Sequence, residues 1–215
     1  MRIILASGSP RRREILDLVG IEYEVIPSNK EEVTKSLLPS EVVKELAYMK
    51  AYDVAENQIF QDEKFGYSEN FALKNSLREQ EQGVLSLVLG ADTMVACDDE
   101  ILGKPKDEAQ AKEMLRKLSG RGHSVFTGIA LLWIKEGRLI KTVNQAVETK
   151  VMVEPMTETE IEAYVATGEP MDKAGAYAIQ GKFAPYITGI EGDYYNVVGF
   201  PICTILKEIK KGCRT

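Results

Sequence analysis

The stretch Arg2-Ile3-Ile4-Leu5-Ala6-Ser7-Gly8-Ser9-Pro10-Arg11-Arg12-Arg13 decides the fold class. Its apolar head, residues 2–6, reads as a buried strand and Ser7-Gly8-Ser9 as a turn. Pro10 reads as the first residue of a helix, where a fixed φ is an advantage and the missing N–H costs nothing. Ser9 is the predicted N-cap. The helix runs to about Val19 with Ile15, Leu16 and Val19 inward, Gly20 stops it, and a second strand follows near residues 23–26. A strand, turn, helix, strand opening is how an α/β protein begins.

Working outward, Ser40 is the predicted cap of a helix whose inward stripe is Val43, Leu46, Ala47, Lys50, Ala51 and Val54. Lys50 is out of place on that stripe: it either snorkels to water or meets a charge partner, because a buried unpaired ammonium is costly. Residues 58–83 are polar and aperiodic and read as an insertion or flexible loop. Residues 84–89 are a continuous apolar run, a fully buried strand expected to end at Gly90-Ala91-Asp92-Thr93 ahead of a hairpin around 97–101. Asp107 and Gln110 begin a helix to Leu118, strands cover 124–134 and 139–153, and Thr157 with Glu160 begins another helix to about Thr167. A glycine-rich segment then leads to a last helix from about Pro201. Early alternation followed by hairpins implies a mixed rather than purely parallel sheet.

Composition narrows the chemistry. The chain has 215 residues, 33 acidic against 27 basic, and a net charge of -6. That balance disfavours a broad surface for a nucleic acid polymer, so any phosphate binding has to be local. Cys97, Cys203 and Cys213 are odd in number and without a CxxC pair, which disfavours a disulfide framework and suits a reducing compartment. No segment approaches the roughly 20 apolar residues of a membrane span, and the expected location is cytoplasmic. His123 is the one histidine, so mechanisms built on histidine pairs are disfavoured.

Carboxylates, cations and hydroxyls remain. Three arginines at the start of a helix face the positive end of its dipole, at a cost of about 0.3–1 kcal/mol each when exposed. The bland reading is a solvated basic helix start. The sharper one is an anion site, in which first-turn N–H groups, serine hydroxyls and guanidinium forks hold a phosphate. Asp92 at the exit of a core strand is a turn cap or a ligand-site carboxylate. Glu31 with Glu32, and Lys104 beside Pro105, are surface charges when taken singly. Together these residues supply what phosphoryl hydrolysis requires: carboxylates for Mg²⁺ or Mn²⁺ and for water, and cations around a triphosphate.

Several ordered segments resemble the Maf family: Ala6-Ser7-Gly8-Ser9-Pro10-Arg11-Arg12, Leu89-Gly90-Ala91-Asp92-Thr93, Gly103-Lys104-Pro105, Leu118-Ser119-Gly120, the run Asp172-Lys173-Ala174-Gly175-Ala176-Tyr177-Ala178-Ile179-Gln180-Gly181, and Val197-Val198-Gly199-Phe200-Pro201. The resemblance implies an elongated α/β fold over residues 1–215, with a mixed twisted sheet, flanking helices and two lobes around a cleft, similar to inosine triphosphate pyrophosphatases. It further implies a homodimer that hydrolyses dTTP and UTP to the monophosphate and pyrophosphate in a house-cleaning role. By position, Ser7, Arg11 and Arg12 would contact phosphates, Asp92 and Glu32 would serve metal and water, and Lys50 and Lys104 would neutralise charge. Arg12, Thr93, Lys104 and Gln180 would set substrate specificity. Two rivals are a purine-directed pyrophosphatase acting on inosine or xanthosine triphosphate, and a nucleotide-binding regulator of septum formation without turnover.

Overall fold

The computed structural model describes residues 1–59, 85–98 and 100–212, with nothing said of the Gln58 side chain. The predicted insertion at 58–83 therefore lies outside the described residues, apart from the two that close the preceding helix. In chain order the elements are β1 (Arg2–Leu5), α1 (Pro10–Leu18), β2 (Glu24–Val25), α2 (Pro39–Gln58), β3 (Leu85–Cys97), β4 (Glu100–Leu102) and α3 (Glu108–Leu118). They continue as β5 (Gly122–Lys135), β6 (Arg138–Val153), α4 (Glu158–Val165), β7 (Ile187–Glu191), α5 (Tyr194–Val198) and α6 (Ile202–Gly212), with short 3-10 turns between α4 and β7.

Among the described residues one seven-stranded sheet runs in the order β2-β1-β3-β5-β6-β7, and β4 pairs with the far end of β3. β1 is parallel to β2 and β3, whereas β3, β5, β6 and β7 are antiparallel in succession. The expected mixed sheet with flanking helices is what forms. Its centre reads as continuous apolar sequence because both faces are covered. On one face α2 lays Ala47, Ala51 and Val54 on Val88, Ala130 and Leu132. The other face carries the larger core, where Leu89, Ile129 and Leu131 meet residues of α1, α3, α4, α5 and α6.

Two glycines determine how close α2 comes. A Cβ on Gly90 would stand 2.1 Å from the Ala47 carbonyl oxygen, and one on Gly128 would stand 2.0 Å from that of Val43. Only a residue with no side chain admits a helix backbone at that distance. The predicted stripe is buried as expected, with Val43, Ala47 and Ala51 fully so.

Three local expectations are corrected. β3 does not end at Asp92 but continues to Cys97, because β5 stays paired with it from Leu85↔Lys135 to Ala96↔Ser124. That tertiary pairing overrides the poor strand preference of glycine and aspartate. α2 is capped at Leu38 with Pro39 in its first turn, not at Ser40. Val19, expected inward, follows the last residue of α1 and is 40% exposed, whereas Ser9 does occupy the predicted N-cap position, without a side-chain capping bond. The Thr157–Glu160 capping box forms in full, and Asp107 accepts from the Gln110 N–H at 2.8 Å.

Candidate active site

The site lies where the edge of β3 is uncovered. β1 pairs with residues 86–89 and β4 with residues 95–97, so among the described residues the stretch between them has no strand neighbour on that side. Asp92 and Thr93 sit in this gap and, being adjacent in a strand, point to opposite faces. A cleft of about 610 Å³ opens there, and Arg11, Arg12, Glu32, Lys50, Asp92 and Lys104 all line it.

On the α2 face, Lys50 lies about one turn beyond Ala47, the residue whose carbonyl rests on Gly90. Its ammonium is thereby brought 2.6 Å from Asp92 Oδ1 and 2.7 Å from Glu32 Oε1. The partner reading of Lys50 is the one the structure supports. Asp92 is buried while Glu32 is exposed. Burial raises the Asp92 carboxyl above the ordinary carboxylate range, and the opposing pull of Lys50 and Arg12 only partly offsets it. A carboxylate held in this way is a better proton acceptor than a solvated one.

On the opposite face, Arg12 is fixed by three acceptors. Nε donates to the Gly199 carbonyl at 2.9 Å, Nη1 to Ser7 Oγ at 2.8 Å and Nη2 to Thr93 Oγ1 at 3.3 Å. A guanidinium has five N–H groups, so two remain for a ligand once its plane is set. Burial lowers the Arg12 guanidinium from its usual value, with Asp92 acting against that shift. Behind Thr93 the hydroxyl of Thr127 lies 3.0 Å away and donates to the Asn196 carbonyl at 2.9 Å. Asn196 in turn donates to Val125 O and Thr149 Oγ1, each at 3.0 Å. This buried chain fastens α5 to the sheet, and with α5 the carbonyl of Gly199.

Ser7 is buried behind Arg12, accepting also from the Ser9 N–H at 3.3 Å, and it is not among the residues lining the cleft. Lys104 and Gln180 are exposed and both line the cleft. A hydrogen bond from Gly175 N to Gly103 O, 3.1 Å long, ties the Lys104 turn to the glycine-rich segment. Sequence reasoning assigned no role to Lys173, Tyr177 or Thr127. The first two line the cleft; they lie inside the run from Asp172 to Gly181, but nothing in their spacing marks them. Thr127 was hidden inside a strand.

The donor set also bears on a metal. Glu32 and Asp92 each offer an oxygen to the same point, now occupied by the Lys50 ammonium. No group of three or more ligating side chains occurs among the described residues. Two carboxylate oxygens are a fit for Mg²⁺ or Mn²⁺, which commonly complete their shell with water and substrate phosphate. They are too few for a closed structural site.

The cleft combines cationic and acidic groups with an apolar lining of Val95, Val125, Ile179 and Val197. A family model described as Maf-like protein matches residues 2–212. A dTTP/UTP pyrophosphatase of Lachnoclostridium phytofermentans is 44% identical over 210 residues, 98% of this chain and 94% of that protein. Another protein of that name, from Bacillus cytotoxicus, is 46% identical over 211 residues, 98% of this chain and 95% of its own. A nucleoside-triphosphatase / dITP/XTP pyrophosphatase of Mycobacterium abscessus has a TM-score of 0.39 at 14% identity, covering 89% of this chain and 86% of that one, too slight a likeness to argue from.

Proposed function

The chain belongs to the Maf-like protein family, and from that premise we propose that it is a nucleoside triphosphate pyrophosphatase that converts dTTP and UTP to the monophosphate and pyrophosphate. The observation that carries the reading is the cleft in which Arg11, Arg12, Lys50 and Lys104 share one cavity with Asp92 and apolar side chains. A triphosphate matches the cations and a nucleobase the apolar lining.

In this reading Arg11, Arg12 and Lys104 hold the β- and γ-phosphates, and Lys50 meets the negative charge that develops at the α-phosphate. Asp92, with its raised proton affinity, orients a water and takes its proton. The water oxygen bonds to the α-phosphorus, the bond to the β-phosphate oxygen breaks, and pyrophosphate leaves with that electron pair. Glu32 and Asp92 are the residues that would hold Mg²⁺ or Mn²⁺, whose chemistry would be to neutralise phosphate oxygens. Dimerisation and a cytoplasmic location belong to the same proposal. The family resemblance supports the first, and the second is in keeping with Cys97 and Cys203 being free and with no described helix being long and apolar enough to cross a membrane.

The test is product analysis over a panel of dTTP, UTP, ITP and XTP, with Mg²⁺ and with Mn²⁺. Pyrophosphate released preferentially from dTTP and UTP supports the proposal. Preference for ITP would move the assignment to purines, and tight nucleotide binding without product would indicate a regulator.

A further inference from the structure

The cleft wall formed by residues 177–180 belongs to no strand or helix, and what holds it lies outside the cleft. Within the wall, Gly181 N bonds back to Ala178 O at 3.1 Å, a single tight turn. Behind it, one carboxylate fastens both ends of that turn. Glu169 Oε1 accepts from the Tyr164 hydroxyl at 2.9 Å, and Oε2 accepts from the Lys182 N–H at 3.0 Å. The Tyr164 oxygen in turn accepts from the Ala178 N–H at 3.3 Å. The direction of this chain is fixed: an ionised carboxylate only accepts, so the one hydroxyl proton of Tyr164 goes to Glu169 and its lone pair serves Ala178.

Two further observations show that the wall is shaped from behind. A Cβ on Gly181 would stand 2.2 Å from Glu169 Oε1, so the carboxylate lies directly against that backbone. Ala176, at the entry to the wall, is held at φ 58, in the left-handed region that a residue with a Cβ adopts only under constraint. Tyr164 is buried, and Phe183 packs between it and Tyr177, with ring centroids 5.1 and 4.9 Å away. Neither Glu169 nor Tyr164 lines the cleft.

We infer that Glu169 and Tyr164 are positioning residues that set the base selectivity of the cleft by fixing the turn that carries Ile179 and Gln180. The inference rests on the nucleotide reading above. Arg11 and Arg12 on α1 and Lys50 on α2 come from other elements, so the clip acts on the base contacts and leaves the phosphate contacts of those residues untouched. Discrimination between bases depends on small displacements of such a wall.

The experiment compares wild type with Glu169→Gln and Tyr164→Phe. Glutamine presents an N–H₂ where one of the two bonds needs an acceptor, and phenylalanine keeps the ring packing but removes the hydroxyl. Steady-state kinetics with dTTP, UTP and ITP are read beside inhibition by inorganic tripolyphosphate, a probe of the phosphate half alone. Each variant is expected to raise KM for the preferred nucleotide about 10-fold with kcat little changed, and to narrow the preference between pyrimidine and purine by a similar factor. Tripolyphosphate inhibition should stay within about twofold. The double variant should be little worse than either single one, because both break the same clip. Thermal unfolding of each variant shows that it is folded. Wild-type base preference in both folded variants would overturn the inference, as would a parallel loss of tripolyphosphate inhibition. A wild-type protein that releases pyrophosphate from no nucleotide would overturn the functional reading itself and this inference with it.

Discussion

The ammonium of Lys50 lies 2.6 Å from Oδ1 of Asp92, although 42 residues separate them in the chain. The contact exists because Gly90, two residues before Asp92 on the same face of β3, lets the backbone of α2 descend onto the sheet. Lys50 and Asp92 therefore act as one unit: the cation lowers a proton affinity that burial raises.

Asp92→Asn should lower kcat by at least about 100-fold, the lower range for loss of a general base. Its effect on stability has the opposite sense. A carboxyl whose folded pKa is raised contributes stability below its unfolded pKa and loses it as pH rises through the folded value. The neutral amide is spared that loss, so its Tm at pH 7 should be no lower than that of wild type. A large drop in Tm with unchanged kcat would contradict the assignment.

Lys50→Met removes the cation that holds the Asp92 proton affinity down. The acid limb of the kcat/KM profile should then move to higher pH than in wild type, with lower activity throughout. A limb displaced to lower pH would show that Asp92 does not titrate in the reaction.

Gly90→Ala should force α2 away from β3. Overpacking of this kind costs about 1–3 kcal/mol, or roughly 2–12 °C of Tm for a chain of this size. Activity should fall with it as Lys50 leaves Asp92. Gly122→Ala is the control, since the nearest atom to its Cβ would be Met152 Cγ at 4.0 Å. Equal Tm values for the two variants would mean that the helix does not rest on Gly90.

Arg12→Lys retains the charge but not the fork that reaches Gly199, Ser7 and Thr93. Hydrogen bonds to charged groups contribute about 1.5–3 kcal/mol, so kcat/KM should fall about 10- to 100-fold even at saturating metal. Retained activity in the lysine variant would show that a point charge suffices.

His123 is buried with Nε2 2.8 Å from the Tyr177 hydroxyl and Nδ1 without a partner among the described residues. Burial lowers its pKa from 6.5 to about 4. Between those values the unfolded chain binds the extra proton and the folded one does not, so stability is lost as pH falls from 6.5 towards 4. At about 1.4 kcal/mol per unit the loss is on the order of 3 kcal/mol. Carboxylates whose folded pKa is lowered, such as Glu24, also lose stability in acid, so the readout is the difference between wild type and His123→Gln. That difference should change across this window and be flat above pH 7.

How much the sequence revealed depends on how local each signal is. The opening strand, turn and helix were readable because Pro10 and the apolar run sit next to one another. Lys50 was conspicuous because it interrupts a 3.6-residue stripe that the structure buries almost throughout. The length of β3 was not readable, since it depends on pairing with β5 some 30 residues on, and Asp92 looked like a strand end for want of that partner. Thr127, Asn196, Tyr164 and Glu169 gave no sign at all. Their roles lie in contacts across the sheet or behind the cleft wall, and no periodicity records such contacts.

Whether water attacks the α-phosphorus of a nucleoside triphosphate within this cleft is read from hydrolysis of dTTP and UTP in ¹⁸O-labelled water. One labelled oxygen is expected in dTMP or UMP, none in the pyrophosphate, and both products should be lost in Asp92→Asn. Label in released phosphate with dTDP or UDP as the other product would contradict attack at that atom.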